Sequence, residues 1–203
     1  MRVSLFDYGA GNLHSLAKAL ASPGMELEVE ADPVRAINTD VLVLPGVGAF
    51  GAAASRLAPG REAMRNAILE GLPVIGICLG MQLLFEESDE GVGAGLGVIA
   101  GRVTRLRALR TPHIGWNTIE SARARELPVM PPSTVYYANG FACRPVSDSV
   151  VTAWTTHERD RFPAIVRAGT AVGVQFHPEK SSVPGVRFLR ELLASAPVWR
   201  TSP

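Results

Sequence analysis

The chain has 203 residues, a formal net charge of +1 and 47% hydrophobic residues, enough material for one α/β domain with a large core. A near-neutral charge offers no polyelectrolyte surface, so no nucleic-acid partner is expected, and no apolar run approaches the roughly 20 residues that a membrane span needs. Two cysteines, Cys78 and Cys143, do not make a disulfide framework, and Met1-Arg2-Val3-Ser4-Leu5-Phe6-Asp7 lacks a signal-peptide pattern, so a cytoplasmic protein with no membrane association is expected.

Val3 to Phe6 reads as a first strand, closed by Asp7-Tyr8-Gly9-Ala10-Gly11-Asn12, a loop of turn formers. A helix is predicted from Leu13 to about Ala21, stopped by Pro23-Gly24. Gly9 and Gly11 begin a dinucleotide pattern that fails at its third glycine, where His14 stands. Glu26 to Glu30 alternates as a strand, and Asp32-Pro33 could cap a brief helix. Val41 to Leu44 is a continuous apolar run, the mark of a central parallel strand. It breaks into Pro45-Gly46-Val47-Gly48-Ala49-Phe50-Gly51, whose glycines permit a backbone that turns N–H groups toward an anion. An ordinary strand-to-helix turn is the other reading, and the lysine and hydroxyl of a phosphate loop are missing. Arg61 to Glu70 then makes an amphipathic helix ended by Gly71.

Pro73 to Ile77 is the next buried strand, and Leu79 to Glu87 carries apolar residues at helical spacing. Between them stands Cys78, with Gly76 two residues before and Gly80 two after. This is the strand-to-helix elbow that presents a nucleophile, with cysteine in place of serine. A sharp corner brings backbones together where a Cβ would clash, and the start of the next helix favours thiolate. A lone cysteine would read as a buried structural residue; inside this pattern the nucleophile reading is the stronger.

Beyond Glu90 the pattern changes to glycine-heavy sequence and strand-like stretches at Val98 to Leu106, Trp116 to Glu120, Thr134 to Tyr137 and Val150 to Thr155, an antiparallel or mixed region added to the parallel sheet. Pro128 to Pro132 is a surface loop, and Ala164 to Arg167 pairs with Ala171 to Phe176 across Ala168-Gly169-Thr170. Val186 to Ala194 is a closing helix. The expected fold is therefore α/β, a three-layer domain over residues 1–203 with a mostly parallel central sheet flanked by helices.

A cysteine that attacks a carbonyl works with an imidazole that takes its proton and delivers it to the leaving group. His14 fits a helix surface, His157 a solvated turn in Thr155-Thr156-His157-Glu158-Arg159, and His113 a loop with no acid beside it. His177 follows an apolar strand, is held extended by Pro178, and has Glu179 two residues on to fix its tautomer. Cys143 has no evident base and reads as structural.

Through Gly76-Ile77-Cys78-Leu79-Gly80-Met81-Gln82 and Gln175-Phe176-His177-Pro178-Glu179-Lys180-Ser181 the chain resembles the class I, triad-type glutamine amidotransferases along essentially its whole length. Asp7 to Leu13, Pro45 to Gly51, Pro112 to Asn117 and Lys180-Ser181 look like the glutaminase subunits of histidine biosynthesis within that family. The stretches around Asp7 and Trp116 speak against the alternative, a subunit serving anthranilate or aminodeoxychorismate synthesis. The resemblance implies a flavodoxin-like fold and hydrolysis of glutamine to glutamate and ammonia by Cys78, His177 and Glu179, with no cofactor and no metal. It implies an oxyanion hole at Val47, Gly48 and Leu79, and glutamine contacts at Gly48, Gln82, Glu90, Gly140 and Phe141. It also implies a separate (β/α)8-barrel cyclase as partner, with Asn12, Pro112, His113, Trp116, Asn117 and Lys180 on the face toward it. Tyr136-Tyr137-Ala138-Asn139-Gly140-Phe141 departs from that subunit's usual Tyr-Phe-Val-His-Ser-Tyr and looks closer to the wider family.

Overall fold

A computed structural model describes residues 1–9, 13–121 and 127–201. In chain order it contains β1 (Arg2–Phe6), α1 (Leu13–Leu20), β2 (Glu26–Glu30), α2 (Pro33–Ala36), β3 (Val41–Leu44), α3 (Phe50–Leu57), α4 (Arg61–Leu69), β4 (Val74–Ile77) and α5 (Leu79–Gln82). There follow β5 (Glu87–Ser88), β6 (Gly101–Arg105), β7 (His113–Thr118), β8 (Glu120–Ser121), β9 (Thr134–Asn139), β10 (Phe141–Pro145), β11 (Val151–His157), β12 (Asp160–Ala168), β13 (Ala171–Val174) and α6 (Ser182–Ser195).

The central sheet has eight strands in the order β2-β1-β3-β4-β13-β12-β11-β8. From β2 to β13 all pairs are parallel; β12, β11 and β8 extend the sheet antiparallel. Two small sheets, β10-β6-β5 and the hairpin-like pair β7-β9, lie beside it. The all-apolar runs in β3 and β4 are explained by burial on both faces, the rule for strands covered by helices on each side. Val41 and Val43 of β3 join one core with Leu16 and Leu20 of α1 and Phe188, Leu189 and Leu192 of α6. Leu42 and Leu44 join the other, with Phe50 and Leu57 of α3 and Met64 and Ile68 of α4. The alternation along one strand thus builds both apolar layers of a three-layer α/β sandwich.

Capping set the short helix as expected: the Asp32 carboxylate accepts from the N–H groups of Val34 and Arg35, at 2.8 and 3.2 Å, with Pro33 in the first turn. Other elements differ from the sequence reading. Helix α5 ends at Gln82 rather than running to Glu87. Leu83, Leu84 and Phe85 are all fully buried, more apolar surface than one helical stripe can cover. The chain tightens there into bonds from Leu84 to Met81 and from Phe85 to Gln82, and the carbonyls of Leu83 to Glu86 accept from Gly95 to Ile99 instead. The segment Pro112 to Asn117, expected as a loop, is mostly strand β7, and the supposed turn at His157 is the end of β11. Helix α3 has no counterpart among the expected elements; its Gly-Ala-Ala-Ala composition after a glycine loop gives no clear apolar period. Helix α6 starts at Ser182, one turn before the expected Val186.

The carboxyl ends of β3, β4 and β13 converge, and the loops leaving them carry the glycine stretch, Cys78 and His177. In open α/β sheets that end is where ligands gather. No helix among the described residues is long and apolar enough to cross a membrane.

Candidate active site

Strand β4 delivers Cys78 into a backbone conformation that L-residues rarely adopt, with φ +48° and ψ −103°. Such strain persists only where the surroundings over-determine it, and it is common at reacting residues. The surroundings are the two glycines of the elbow. A Cβ on Gly76 would lie 2.6 Å from the Gly80 carbonyl oxygen, and one on Gly80 would lie 2.0 Å from that of Leu44. Strand β4, the corner and strand β3 are therefore in backbone contact, which only glycine permits. The Cys78 N–H continues the sheet ladder by donating to the Val174 carbonyl at 2.7 Å, so the corner hangs directly from β13.

His177 arrives from that same strand and is nearly fully buried, 2% exposed. Its Nδ1–H donates to Glu179 Oε1 at 2.8 Å, leaving Nε2 for the Cys78 sulfur, to which the ring also hydrogen-bonds. The other carboxylate oxygen of Glu179 is buried with no hydrogen-bond partner among the described residues, so orienting His177 is its visible task. Burial is the largest influence on the imidazole and would lower its pKa. The charge and hydrogen bond of Cys78, then Glu179, outweigh it and raise the value from 6.5 to about 10. At neutral pH the imidazole of His177 is therefore held protonated beside the Cys78 sulfur. Cys143, by contrast, is fully buried, and burial first, then the charge on Cys78, pushes its thiol well up. The two cysteines are chemically distinct for that reason.

The His177 segment is clamped from outside by β9. Its N–H donates to the Tyr136 carbonyl at 2.8 Å; its carbonyl accepts the Ser181 hydroxyl at 2.7 Å; and that hydroxyl oxygen accepts the Tyr136 N–H at 2.9 Å. Strand β7 lies outside β9, where Trp116 pairs in register with Tyr136 and meets its ring edge to face at 6.0 Å.

The glycine loop after β3 passes over the nucleophile. A Cβ on Gly46 would stand 3.0 Å from both Cys78 Cβ and His177 Cε1. Gly48 has φ +108°, and Val47 between these glycines is half-buried. The Tyr8 hydroxyl donates to the Pro45 carbonyl, anchoring the start of the loop, and burial, then the charges on Cys78 and Asp7, push that phenol well above its ordinary range. Leu79 is the first residue of α5, the position where a helix leaves its N–H groups without intrahelical partners.

Gln82 and Phe141 meet: the Gln82 side-chain amide donates to the Phe141 carbonyl at 3.2 Å, and the Asn139 amide donates to the same oxygen at 2.9 Å. Gly140 joins the two strands here. Glu90 accepts the Phe50 N–H at 2.9 Å and so ties its own loop to the start of α3, just past the glycine loop. Of the residues expected on a partner face, Pro112, Trp116 and Lys180 are exposed and Asn117 is bonded to the Thr156 carbonyl at 2.9 Å. His113 instead points inward, stacked between His157 at 4.0 Å and Tyr137 at 5.0 Å. Asn12 lies outside the described residues. Exposed Ile114 shares the outer face of β7 with Trp116, and Tyr8, Gly46 and Gln175 touch the site; none of these four was singled out by spacing alone.

The chain matches the model of the family Glutamine amidotransferase class-I over residues 4–194. It is 44% identical over 194 residues to imidazole glycerol phosphate synthase subunit HisH from Symbiobacterium thermophilum, covering 93% of this chain and 91% of that one. It is 41% identical over 192 residues to the subunit of the same name from Pyrococcus furiosus, covering 93% and 96%. Among solved structures, a crystal structure of a glutamine amidotransferase superposes with a TM-score of 0.71 at 20% identity, covering 95% of this chain and 98% of that one. The structure of PurLQS from Thermotoga maritima superposes with a TM-score of 0.67 at 18% identity, covering 96% of each. These two likenesses speak for the fold.

Proposed function

From the premise that this chain belongs to the class-I glutamine amidotransferase family, and within it to the imidazole glycerol phosphate synthase HisH subunits, we propose the following reaction and partner. The chain hydrolyses glutamine to glutamate and ammonia. Residues 1–203 act as one glutaminase domain. The ammonia goes to a separate cyclase subunit, a (β/α)8 barrel, which forms imidazole glycerol phosphate.

Cys78 attacks the side-chain amide carbonyl of glutamine, and the developing oxyanion is held by backbone N–H groups of Leu79 and of the Val47–Gly48 stretch. A donor aimed there is worth roughly 3–4 kcal/mol. His177, already protonated, gives its proton to the departing ammonia, leaving a glutamyl thioester on Cys78. The neutral imidazole then takes a proton from water, whose oxygen attacks the thioester, and glutamate leaves. Glu179 keeps the ring aimed throughout. Gln82, Gly140, Phe141 and Gly48 line the amino-acid end of the substrate, and Glu90 receives its ammonium group on the carboxylate that already ties α3. Trp116, Pro112, Asn117 and Lys180, with Asn12 and the strand that carries His113, form the face toward the cyclase. No metal and no cofactor enters the reaction.

The observation that carries this reading is the buried chain from Cys78 through His177 to Glu179 on a strained elbow. The test is glutamate release from glutamine by wild type and Cys78→Ala, each with and without cyclase and its nucleotide substrate. Release is expected to be strong only for the wild-type complex, and Cys78→Ala to lose at least about a thousandfold. Equal release by Cys78→Ala overturns the mechanism; wild-type release that the cyclase leaves unchanged overturns the partner.

A further inference from the structure

Gln175 follows β13 and is fully buried. Its backbone is spent in the sheet, the N–H donating to the Ala164 carbonyl at 2.9 Å. Its side chain is not explained by packing. One end, Nε2, lies 3.6 Å from the Cys78 sulfur; the other, Oε1, is buried without a partner among the described residues. Buried amides ordinarily satisfy both ends, and one that does not calls for a reason of its own. The flanking residues sharpen the point. Val174 and Phe176 enter the apolar core, whereas Gln175 and His177, two apart on extended chain, both turn to Cys78.

The two orientations of this amide differ only once the sulfur is ionised. A neutral thiol could donate to an amide oxygen, but a thiolate accepts only, so an oxygen facing it would repel it. With the imidazolium of His177 on one side, an amide N–H on another gives the sulfur a second donor and a fixed direction. Two donors restrict the turning of the sulfur about its Cα–Cβ bond more than one does.

We propose that Gln175 is a fourth residue of the reaction centre, whose side-chain N–H holds the Cys78 sulfur as a thiolate and points it at the substrate carbonyl. This rests on the reading of Cys78 as nucleophile. During attack the sulfur loses its charge to the forming C–S bond and the hydrogen bond weakens; when the thioester is cleaved, the same N–H receives the returning thiolate. Gln175 thus favours the thiolate as a leaving group in the second half of the reaction as well as its formation in the first.

The test uses full-length wild type, Gln175→Met and Gln175→Glu. Iodoacetamide alkylation of Cys78 is followed across pH by mass spectrometry of the Cys78 peptide, with melting temperature and with kcat and KM for glutamine in the cyclase complex. In Gln175→Met, which keeps the volume and removes both amide ends, the alkylation midpoint is expected to rise by about one pH unit, a tenfold smaller reactive fraction below it. The melting temperature is expected to hold, since an unpartnered oxygen is removed with the donor, and kcat is expected to fall with KM nearly unchanged. Gln175→Glu sets a carboxylate against the sulfur and is expected to move the midpoint further up. An unmoved midpoint in the variants that fold overturns the proposal, even where activity and stability fall together, as a purely structural residue would make them. If the midpoint stays while Cys78→Ala still abolishes glutamate release, the role of Gln175 falls and the nucleophile stands.

Discussion

At the scale of single residues the site is governed by what cannot be accommodated. Gly80 is the clearest case: a Cβ there would lie 2.0 Å from the Leu44 carbonyl oxygen and 2.8 Å from the Leu44 Cβ, and neither backbone can yield without moving the sheet. Gly80→Ala is expected to destabilise the fold by about 3 kcal/mol or more, read by urea unfolding; a loss near zero would mean the elbow does not press on β3. His113 supplies a second expectation, set by charge. Burial first, then the neighbouring His157, lowers its pKa from 6.5 to about 4. The folded chain therefore refuses a proton that the unfolded chain accepts. The stability gained from keeping His113 neutral is complete above pH 6.5 and is lost as pH falls from there toward 4. His113→Phe, which keeps a ring in the stack, is expected to flatten the unfolding free energy against pH across that window; an unchanged slope would place the titration elsewhere.

At the scale of elements, the important connection is between β9 and the turn that carries His177. Ser181 is buried, and its hydroxyl satisfies the Tyr136 N–H and the His177 carbonyl together. Ser181→Ala leaves both without that partner, at a cost of about 1–3 kcal/mol, and loosens the backbone on which the imidazole rides. The expected result is a fall in kcat of about tenfold or more with KM little changed, since the proposed glutamine contacts lie on other elements; a rise in KM alone would contradict the clamp. Trp116 leans on Tyr136, whose carbonyl accepts the His177 N–H, so β7 and the His177 turn are joined through one shared strand. The sequence showed some of these elements and hid others for physical reasons. Fully buried parallel strands announce themselves as apolar runs, as β3 does, whereas the exposed edge strand β2 shows itself by alternation; both fall on the expected residues. Helix α3 was hidden by alanine and glycine, whose small side chains carry little periodic signal although Phe50, Ala53, Ala54 and Leu57 are its buried face. The false extension of α5 has the opposite cause: Leu83, Leu84 and Phe85 match a helical spacing but are buried by a loop that bonds their carbonyls.

At the scale of the whole molecule, three strand ends from distant parts of the chain converge on the proposed reaction centre. Cys78, His177 and Glu179 were legible because a glycine-flanked corner and a His-Pro-Glu turn leave local marks in sequence. Gln175 and Tyr8 lie inside stretches that carry the resemblance but have no role legible from their neighbours, since a polar residue beside an apolar run or in a loop gains meaning only when another segment, 97 and 37 residues away, packs against it. The inward turn of His113 is likewise a product of the β7–β9 pair and of β11, not of its neighbours in sequence. The central claim is that the Cys78 sulfur forms a bond to the glutamyl group. It is tested most directly by acid-quenching the cyclase complex while it turns over isotopically labelled glutamine and locating the label by peptide mass spectrometry. The account expects a labelled glutamyl group on the Cys78 peptide that disappears when Cys78 is replaced by alanine. Glutamate formed at full rate with no label on Cys78, or with the label on another residue, would contradict it.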